Sequence, residues 1–335
     1  MPAAPRPASD PTGRQAGGAG VRALVTGGAG FLGSTLVDRL LAEGHEVDVL
    51  DDLSTGLLAN LAEARADRTH RLTFHQIDVR GAQLVDVIAR RAPEVVYHLA
   101  AQVDVASSVA RPAFDAEVNV IGTVNVVEGA RVAGVRKVVA ALSGGTMYGE
   151  ATRRQLPVKE SQALAPCSPY GVSSRVALDY LNVYRRLHGL EFTAVALANV
   201  YGPRQDPHGG GGVVATFAGR LVADEACTVY GDGEQTRDYL YVDDAVDALV
   251  RAAGRGDGLL VNVGTGIETT VNDLYALMAS AAGVDRPAQS AAARSGEVSR
   301  SALDPSRAAI QLGWRPWTTL DEGIARVLEW LKFRD

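Results

Sequence analysis

At 335 residues, 47% hydrophobic and 21% charged, the chain has enough apolar content to bury the core of one large domain or two intimately joined ones, and too much for disorder. A formal net charge of -6 with no basic cluster makes a nucleic-acid surface or an anionic-membrane patch a poor fit, so an anionic ligand has to be caught locally by a few arginines and backbone amides. Cys167 and Cys227 stand at no metal or redox spacing, the six histidines form no metal pair, and no segment nears the roughly 18 apolar residues of a membrane span; a metal-free protein of the reducing cytoplasm is expected.

In chain order, residues 1–20 mix Pro, Gly and Ala without the apolar run of a secretory leader and read as a disordered tail. From Val21 a strand, "VRALVTG", runs into a glycine-punctuated turn and then a helix, "FLGSTLVDRLLAEG", with apolar residues at helical spacing and a stop at Gly44. The strands "HEVDVLD", "LTFHQID", "EVVYHLA", "RKVVAAL" and "EFTAVAL" follow, most of them separated by helical stretches. Such alternation predicts an α/β fold, a doubly wound parallel sheet of Rossmann type over residues 21–195, with segments near 240–265 returning to it. Beyond 196 the rhythm breaks into Gly- and Pro-containing loops, and a smaller C-terminal α/β substrate domain is expected over 196–335. It should close on a helix near 320–333, opened by Thr319 and Glu322 at capping-box spacing.

The first turn carries Gly27, Gly30 and Gly33 between strand and helix. The first makes the tight turn, the second lets the backbone approach a pyrophosphate, and the third lets helix and strand pack closely. The second strand ends in Asp51, at the distance expected of the acid that holds an adenosine ribose. A carboxylate there accepts hydrogen bonds from a free diol and repels a 2′-phosphate, so NAD is expected rather than NADP.

Further motifs follow in order: "LDDLSTG", "DVR", "YHLAAQ", "NVIGTVNVVEGA", "SGGTMYGE", "SPYG", "ANVYGPRQDPHG", "YGDGEQTRDYLYVDDAVDA", "VNVGTG" and "RSGEVSRSALD". With "TGGAGFLG" they make the chain, from about residue 22 onward, resemble the extended short-chain dehydrogenases, in particular the NAD-dependent epimerase/dehydratase group of the UDP-glucose 4-epimerases. The resemblance implies that Phe31, Leu32 and Asp52 join the glycines and Asp51 around the cofactor. It also implies that Asp78 and Val79 flank the adenine, that Leu99, Ala100, Ala101 and Gln102 line the cleft, and that Asn119 supports it. Asn199 and Val213 would touch the nucleotide diphosphate of the substrate, a UDP-sugar by best fit, and Arg237 and Arg294 would clamp its phosphates. Arginine's fixed fork of donors suits that task better than lysine. A homodimer, paired through the helix after "SPYG" and the one around 117–133, is implied as well.

Family members use a tyrosine as acid/base, taking the proton of a sugar hydroxyl as hydride leaves for the nicotinamide, and Tyr170 matches it. A free tyrosine has a pKa near 10, so the site must lower it by roughly three pH units, on the order of 4 kcal/mol. The family's lysine four residues on does part of this, and here that position is Ser174. Serine can hydrogen-bond to a ribose but carries no charge; Arg175 is cationic but turned about 100° around the helix. A second departure is Gly144, where many relatives keep a serine or threonine, leaving Ser143 or Thr146 to supply the hydroxyl, with Thr146 favoured. Ala196 and Leu197 replace a frequent arginine and aromatic. Dehydratases and decarboxylases of the group usually place an acid before the "YG", and "GGTM" favours epimerisation through a transient 4-keto sugar. The alternatives are a dehydratase or decarboxylase, or a binding protein of the same fold whose catalysis has been lost or removed. His98 reads as a packed strand-end residue.

Overall fold

The computed structural model describes residues 20–66, 69–207, 212–293 and 298–333. The tail before residue 20, most of the glycine run 209–212, and Arg294 lie outside the described residues.

Each apolar run of the first half becomes a strand: β1 (Arg22–Thr26), β2 (Glu46–Asp51), β3 (Leu72–Gln76), β4 (Val95–His98), β5 (Lys137–Ser143) and β6 (Glu191–Leu197). Three short pairs follow, β7 (Asn199–Tyr201) with β10 (Tyr239–Tyr241), β8 (Thr228–Tyr230) with β13 (Gln289–Ala291), and β9 (Thr236–Arg237) with β12 (Thr269–Thr270). Between them β11 (Leu259–Val263) returns to the main sheet beside β6.

The main sheet has seven strands in the order β11-β6-β5-β4-β1-β2-β3, and every pairing in it is parallel. Continuous apolar runs explain why its inner strands are buried on both faces, with β4 buried at all of its residues, while the edge strand β3 is only partly buried. The helices Phe31–Ala42 and Val242–Ala252 pack against each other, while Gln83–Arg91, Gly122–Ala133 and Pro169–His188 form a second row. Right-handed crossovers that reverse direction at β1 and β4 place the two groups on opposite faces. The reversal opens a crevice at the carboxyl ends of β1 and β4, where ligands of such sheets bind.

The last helix, Leu320–Lys332, carries the capping box read from the sequence: Thr319 Oγ1 accepts from Glu322 N, and Glu322 returns a carboxylate to Thr319 N. It buries Ile324, Val327 and Leu328 and lies against the helix Val213–Val222. Asp238, fully buried, accepts from the backbone of Thr265, Gly266 and Leu303, joining β9 and β10 to two later loops. Among the described residues no helix is long and apolar enough to cross a membrane.

Candidate active site

The crevice begins with the glycine turn. Gly27 has φ +70°, and a Cβ there would stand 2.7 Å from Ala100 N; a Cβ on Gly33 would stand 2.1 Å from the Gly27 carbonyl oxygen. Neither position admits a side chain. Gly30 is the N-cap of Phe31–Ala42 and offers no side-chain cap, so the first amides of that helix are left for an external acceptor. Phe31 and Leu32 form the helix's first turn and pack on the core with partly exposed side chains.

Asp51, at the end of β2 and 7% exposed, holds this turn in place: Oδ2 accepts from Ala29 N at 2.9 Å and Oδ1 from Leu53 N at 2.8 Å. Burial pushes its carboxyl up, and the two amide donors work in the opposite direction. Each oxygen keeps acceptor capacity for a further donor. Asn60, also buried, donates Nδ2 to Ala29 O, so Ala29 is tied at both backbone atoms. Asp52 is turned to solvent and accepts from Ser54 N and Oγ, closing its own loop.

The opposite wall starts at the end of β4. Thr26 and His98 are cross-strand partners, with Thr26 Oγ1 at 2.8 Å from His98 Nδ1. Thr123 Oγ1 donates to Asn119 O at 2.6 Å, so it accepts from His98 Nε2, and the remaining nitrogen accepts the Thr26 hydroxyl proton. This fixes one neutral tautomer, and burial pulls the His98 pKa down to about 4. His98 is the packed strand-end residue read from the sequence. Thr26 Oγ1 also accepts from Leu99 N and Ala100 N, setting the path of the residues that follow. Gln102 is held at both backbone atoms by Asn119, whose Oδ1 accepts from Gln102 N and whose Nδ2 donates to Gln102 O. Ala101 lies exposed between them. Asp78 pairs with Arg80 at 2.6 Å, which holds its carboxyl below the usual range, and Val79 is buried beside Gly122.

Tyr170 occupies the first turn of Pro169–His188, where Ser168 caps the helix through Gly171 N and Pro169 fits the N1 position. Its hydroxyl faces that of Ser143, and Thr146 donates to Ser143 Oγ at 2.8 Å. The sequence reading favoured Thr146, but the carboxyl end of β5 delivers Ser143 to the phenol and leaves Thr146 behind it. Gly144 has a packing reason: a Cβ would meet Leu303 Cδ1 at 2.5 Å and Leu197 O at 3.0 Å. Ser174 is buried one turn beyond Tyr170. Arg175 does not curl back; it is exposed and donates to the Leu164 carbonyl at 3.2 Å. Burial pushes the Tyr170 pKa up to about 12, the Ser143 hydroxyl pulls against it, and the charge of Asp115 adds to the rise.

On the C-terminal side, exposed Asn199 in β7 has its side chain next to Gly145, where a Cβ would stand 3.5 Å from Asn199 Oδ1. Val213 opens the helix Val213–Val222 behind Gly212, at φ +87°, again without a side-chain cap. Arg237 in β9 is half-buried and donates to Thr236 O. The backbone of Ser299 and Ser301 flanks Thr236, bringing the chain that follows Arg294 beside Arg237.

Comparison with known proteins agrees with this geometry. The family model described as GDP-mannose 4,6 dehydratase matches residues 24–327. The UDP-glucose 4-epimerase of Mycolicibacterium smegmatis is 49% identical over 93% of this chain and 99% of its own length. The chain belongs to the NAD-dependent epimerase/dehydratase family of extended short-chain dehydrogenases. Two solved members superpose on it: Thermotoga maritima UDP-glucose 4-epimerase with UDP-glucose (TM-score 0.89, 40% identity, 93% and 98% of the two chains) and Thermus thermophilus UDP-glucose 4-epimerase with NAD (TM-score 0.88, 38% identity, 94% and 100%). NAD is the cofactor of the family, and the glycine turn, the uncapped helix and Asp51 fit it.

Within this epimerase/dehydratase, the sequence reading did not find Asp115 or Ser173. Asp115 is fully buried and accepts from Gln102 Nε2, Asn119 Nδ2 and Ser173 Oγ, linking the cofactor wall to the tyrosine helix. A signal existed: Asp115 and Asn119 are four apart, one above the other on a helical face. A π-turn over Glu117–Ile121 interrupts that helix, and such bulges gather at functional sites.

Proposed function

We propose that the chain is a 4-epimerase of a nucleotide sugar, with a UDP-hexose or UDP-hexuronate as substrate and Tyr170 as acid/base. The observation that carries this reading is the Tyr170–Ser143–Thr146 hydroxyl chain at the carboxyl end of β5 with no carboxylate between Ser143 and Met147. A dehydratase would need an acid there to manage elimination. Glu150, the nearest one along the chain, is committed to Ser299 N at 2.9 Å.

NAD, when bound, takes and returns the hydride at the sugar's C4. The amides at the start of Phe31–Ala42 would hold its pyrophosphate, Asp51 its adenosine ribose, Asp78 and Val79 the adenine side, and Leu99 to Gln102 the remaining wall. Arg237 and Arg294 would neutralise the substrate diphosphate, with Asn199 and Val213 beside it. Tyr170 accepts the C4 hydroxyl proton and returns it to the opposite configuration, while Ser143 donates to the phenolate. Ser174 offers no charge, so activity should climb with pH as Tyr170 ionises, without a neutral plateau.

A second reading rests on the same serine: a protein that binds NAD and nucleotide sugar without turnover. Proton NMR of the chain with UDP-glucose and with UDP-glucuronate, beside a Ser174→Lys variant, separates the two. Formation of the galacto epimers by the unmodified chain supports the epimerase. Turnover confined to the variant supports the binding protein. No turnover by either with both sugars counts against an epimerase of these substrates.

We also propose that it works as a homodimer. The two helices expected to pair expose Ile121, Val132, Val172 and Leu187, at 47–71% accessibility. Sedimentation equilibrium showing only a monomer at micromolar concentration would refute this.

A further inference from the structure

Asp115 is a fully buried carboxylate that makes no ion pair with any described residue, and its three partners are neutral donors. The donor assignment is fixed from outside. Gln102 Oε1 accepts from Asp104 N at 2.6 Å, which leaves Nε2 to face Asp115; Asn119 Oδ1 accepts from Gln102 N, which leaves Nδ2. Three donors converging on one acid are what a charged carboxylate requires. Ser173, the partner at 2.6 Å, stands on the first turn of the tyrosine helix between Tyr170 and Ser174.

The other charges on the surrounding elements are engaged elsewhere. Asp104 caps its own helix on Ser107, Arg111 lies over the Phe114 ring, Glu117 faces Arg80, Glu128 binds Arg131, Lys137 binds Asp257, and Arg175 is on the Leu164 carbonyl. The residues near the phenol from β5 and Gly144–Met147 are the hydroxyls of Ser143 and Thr146. Asp115 is therefore the buried acid tied to the tyrosine helix through Ser173, and a negative charge held there opposes ionisation of Tyr170.

We propose that Asp115 is a positioning residue of the reaction: it joins the tyrosine helix to the cofactor wall through Ser173, Asn119 and Gln102, and its charge, unopposed because position 174 holds a serine, restrains proton release from Tyr170. The proposal rests on Tyr170 being the acid/base, but its test needs no substrate. A difluorotyrosine placed at position 170 alone lowers the phenol into a range that can be titrated on the folded chain, and its fluorine NMR shift reports ionisation of that residue. Asp115→Asn keeps the shape and removes the charge, and should lower the midpoint by about one pH unit, roughly a tenfold gain in ionised phenol at a given pH. An unchanged midpoint in a folded Asp115→Asn chain overturns the proposal. If that variant does not fold, Ser173→Ala removes one donor and leaves the charge less compensated; the midpoint should then rise, and no movement overturns the proposal equally. A failure of epimerase turnover would leave both titrations readable.

Discussion

The glycine turn and the tyrosine helix stand at the same carboxyl edge of one sheet and are held by different means. At the turn, backbone decides: Gly27 and Gly33 have no room for a Cβ, and Asp51, Leu57 and Asn60 tie Ala29 at both backbone atoms. At the tyrosine, side-chain chemistry decides: the helix start is ordinary, and what matters is which hydroxyls and charges surround one phenol. At the second kind of site a single side chain such as that of Ser174 changes the chemistry without moving the backbone, whereas a side chain at Gly27 or Gly33 displaces main chain.

The largest effect should come from the turn. A side chain at Gly33 has to move the Gly27 carbonyl, so Gly33→Val should abolish NAD retention on desalting and lower the melting temperature. At the tyrosine edge, Gly145→Ala meets ordinary contacts, Asn199 Oδ1 at 3.5 Å and Ser301 Oγ at 3.7 Å, and should keep the bound cofactor. Retention of NAD by Gly33→Val would remove the distinction between the two regions.

Next is Tyr170→Phe, which deletes the proposed acid/base and leaves the turn alone. Turnover should fall by roughly 10²- to 10⁴-fold with NAD still bound. The pH dependence sharpens the point. Tyr170 is pushed up to about 12, so the active phenolate fraction rises with pH, and Ser174→Lys should move that rise to lower pH. A flat neutral plateau in the unmodified chain would contradict the assignment of the uncompensated phenol.

These contrasts explain what the sequence could reveal. The parallel strands, the capping box at Thr319 and the glycine turn were legible because each depends on local periodicity or on a residue with one conformational use. Ser143 against Thr146 was not legible: Ser143 ends β5 and Thr146 lies in the helical turn that follows, and only the direction in which the chain leaves the strand decides which meets the phenol. Asp115 escaped because its partners stand on three segments, at Gln102, Asn119 and Ser173, and only its four-residue spacing from Asn119 shows in the chain. Leu303, more than 150 residues from Gly144, supplies the packing reason for that glycine.

A smaller effect belongs to the wall between the two regions. The His98 pKa is held near 4 against 6.5 in the open chain, so the folded state binds fewer protons as pH falls. Its contribution is fully present above 6.5 and is lost as the pH drops toward 4. Urea unfolding at pH 7.5 and 5.0 should differ by about 2 kcal/mol from this residue. The difference should shrink in His98→Asn, and an equal difference in that variant would place the acid sensitivity elsewhere.

The smallest effect is expected at Arg175, and it is the sharpest control on the account of Ser174. If the chain had moved its missing cation by one residue, removing Arg175 would cost as much as losing the family's lysine. The guanidinium instead donates to Leu164 O on the exposed side of the helix, where one hydrogen bond contributes about 1 kcal/mol or less. Arg175→Ala should therefore change turnover by less than twofold and leave the pH profile in place, while Ser174→Lys shifts it. A tenfold loss in Arg175→Ala, with the alkaline limb displaced upward, would mean that the side chain swings inward once cofactor and substrate are bound, and that Asp115 is not left unopposed after all.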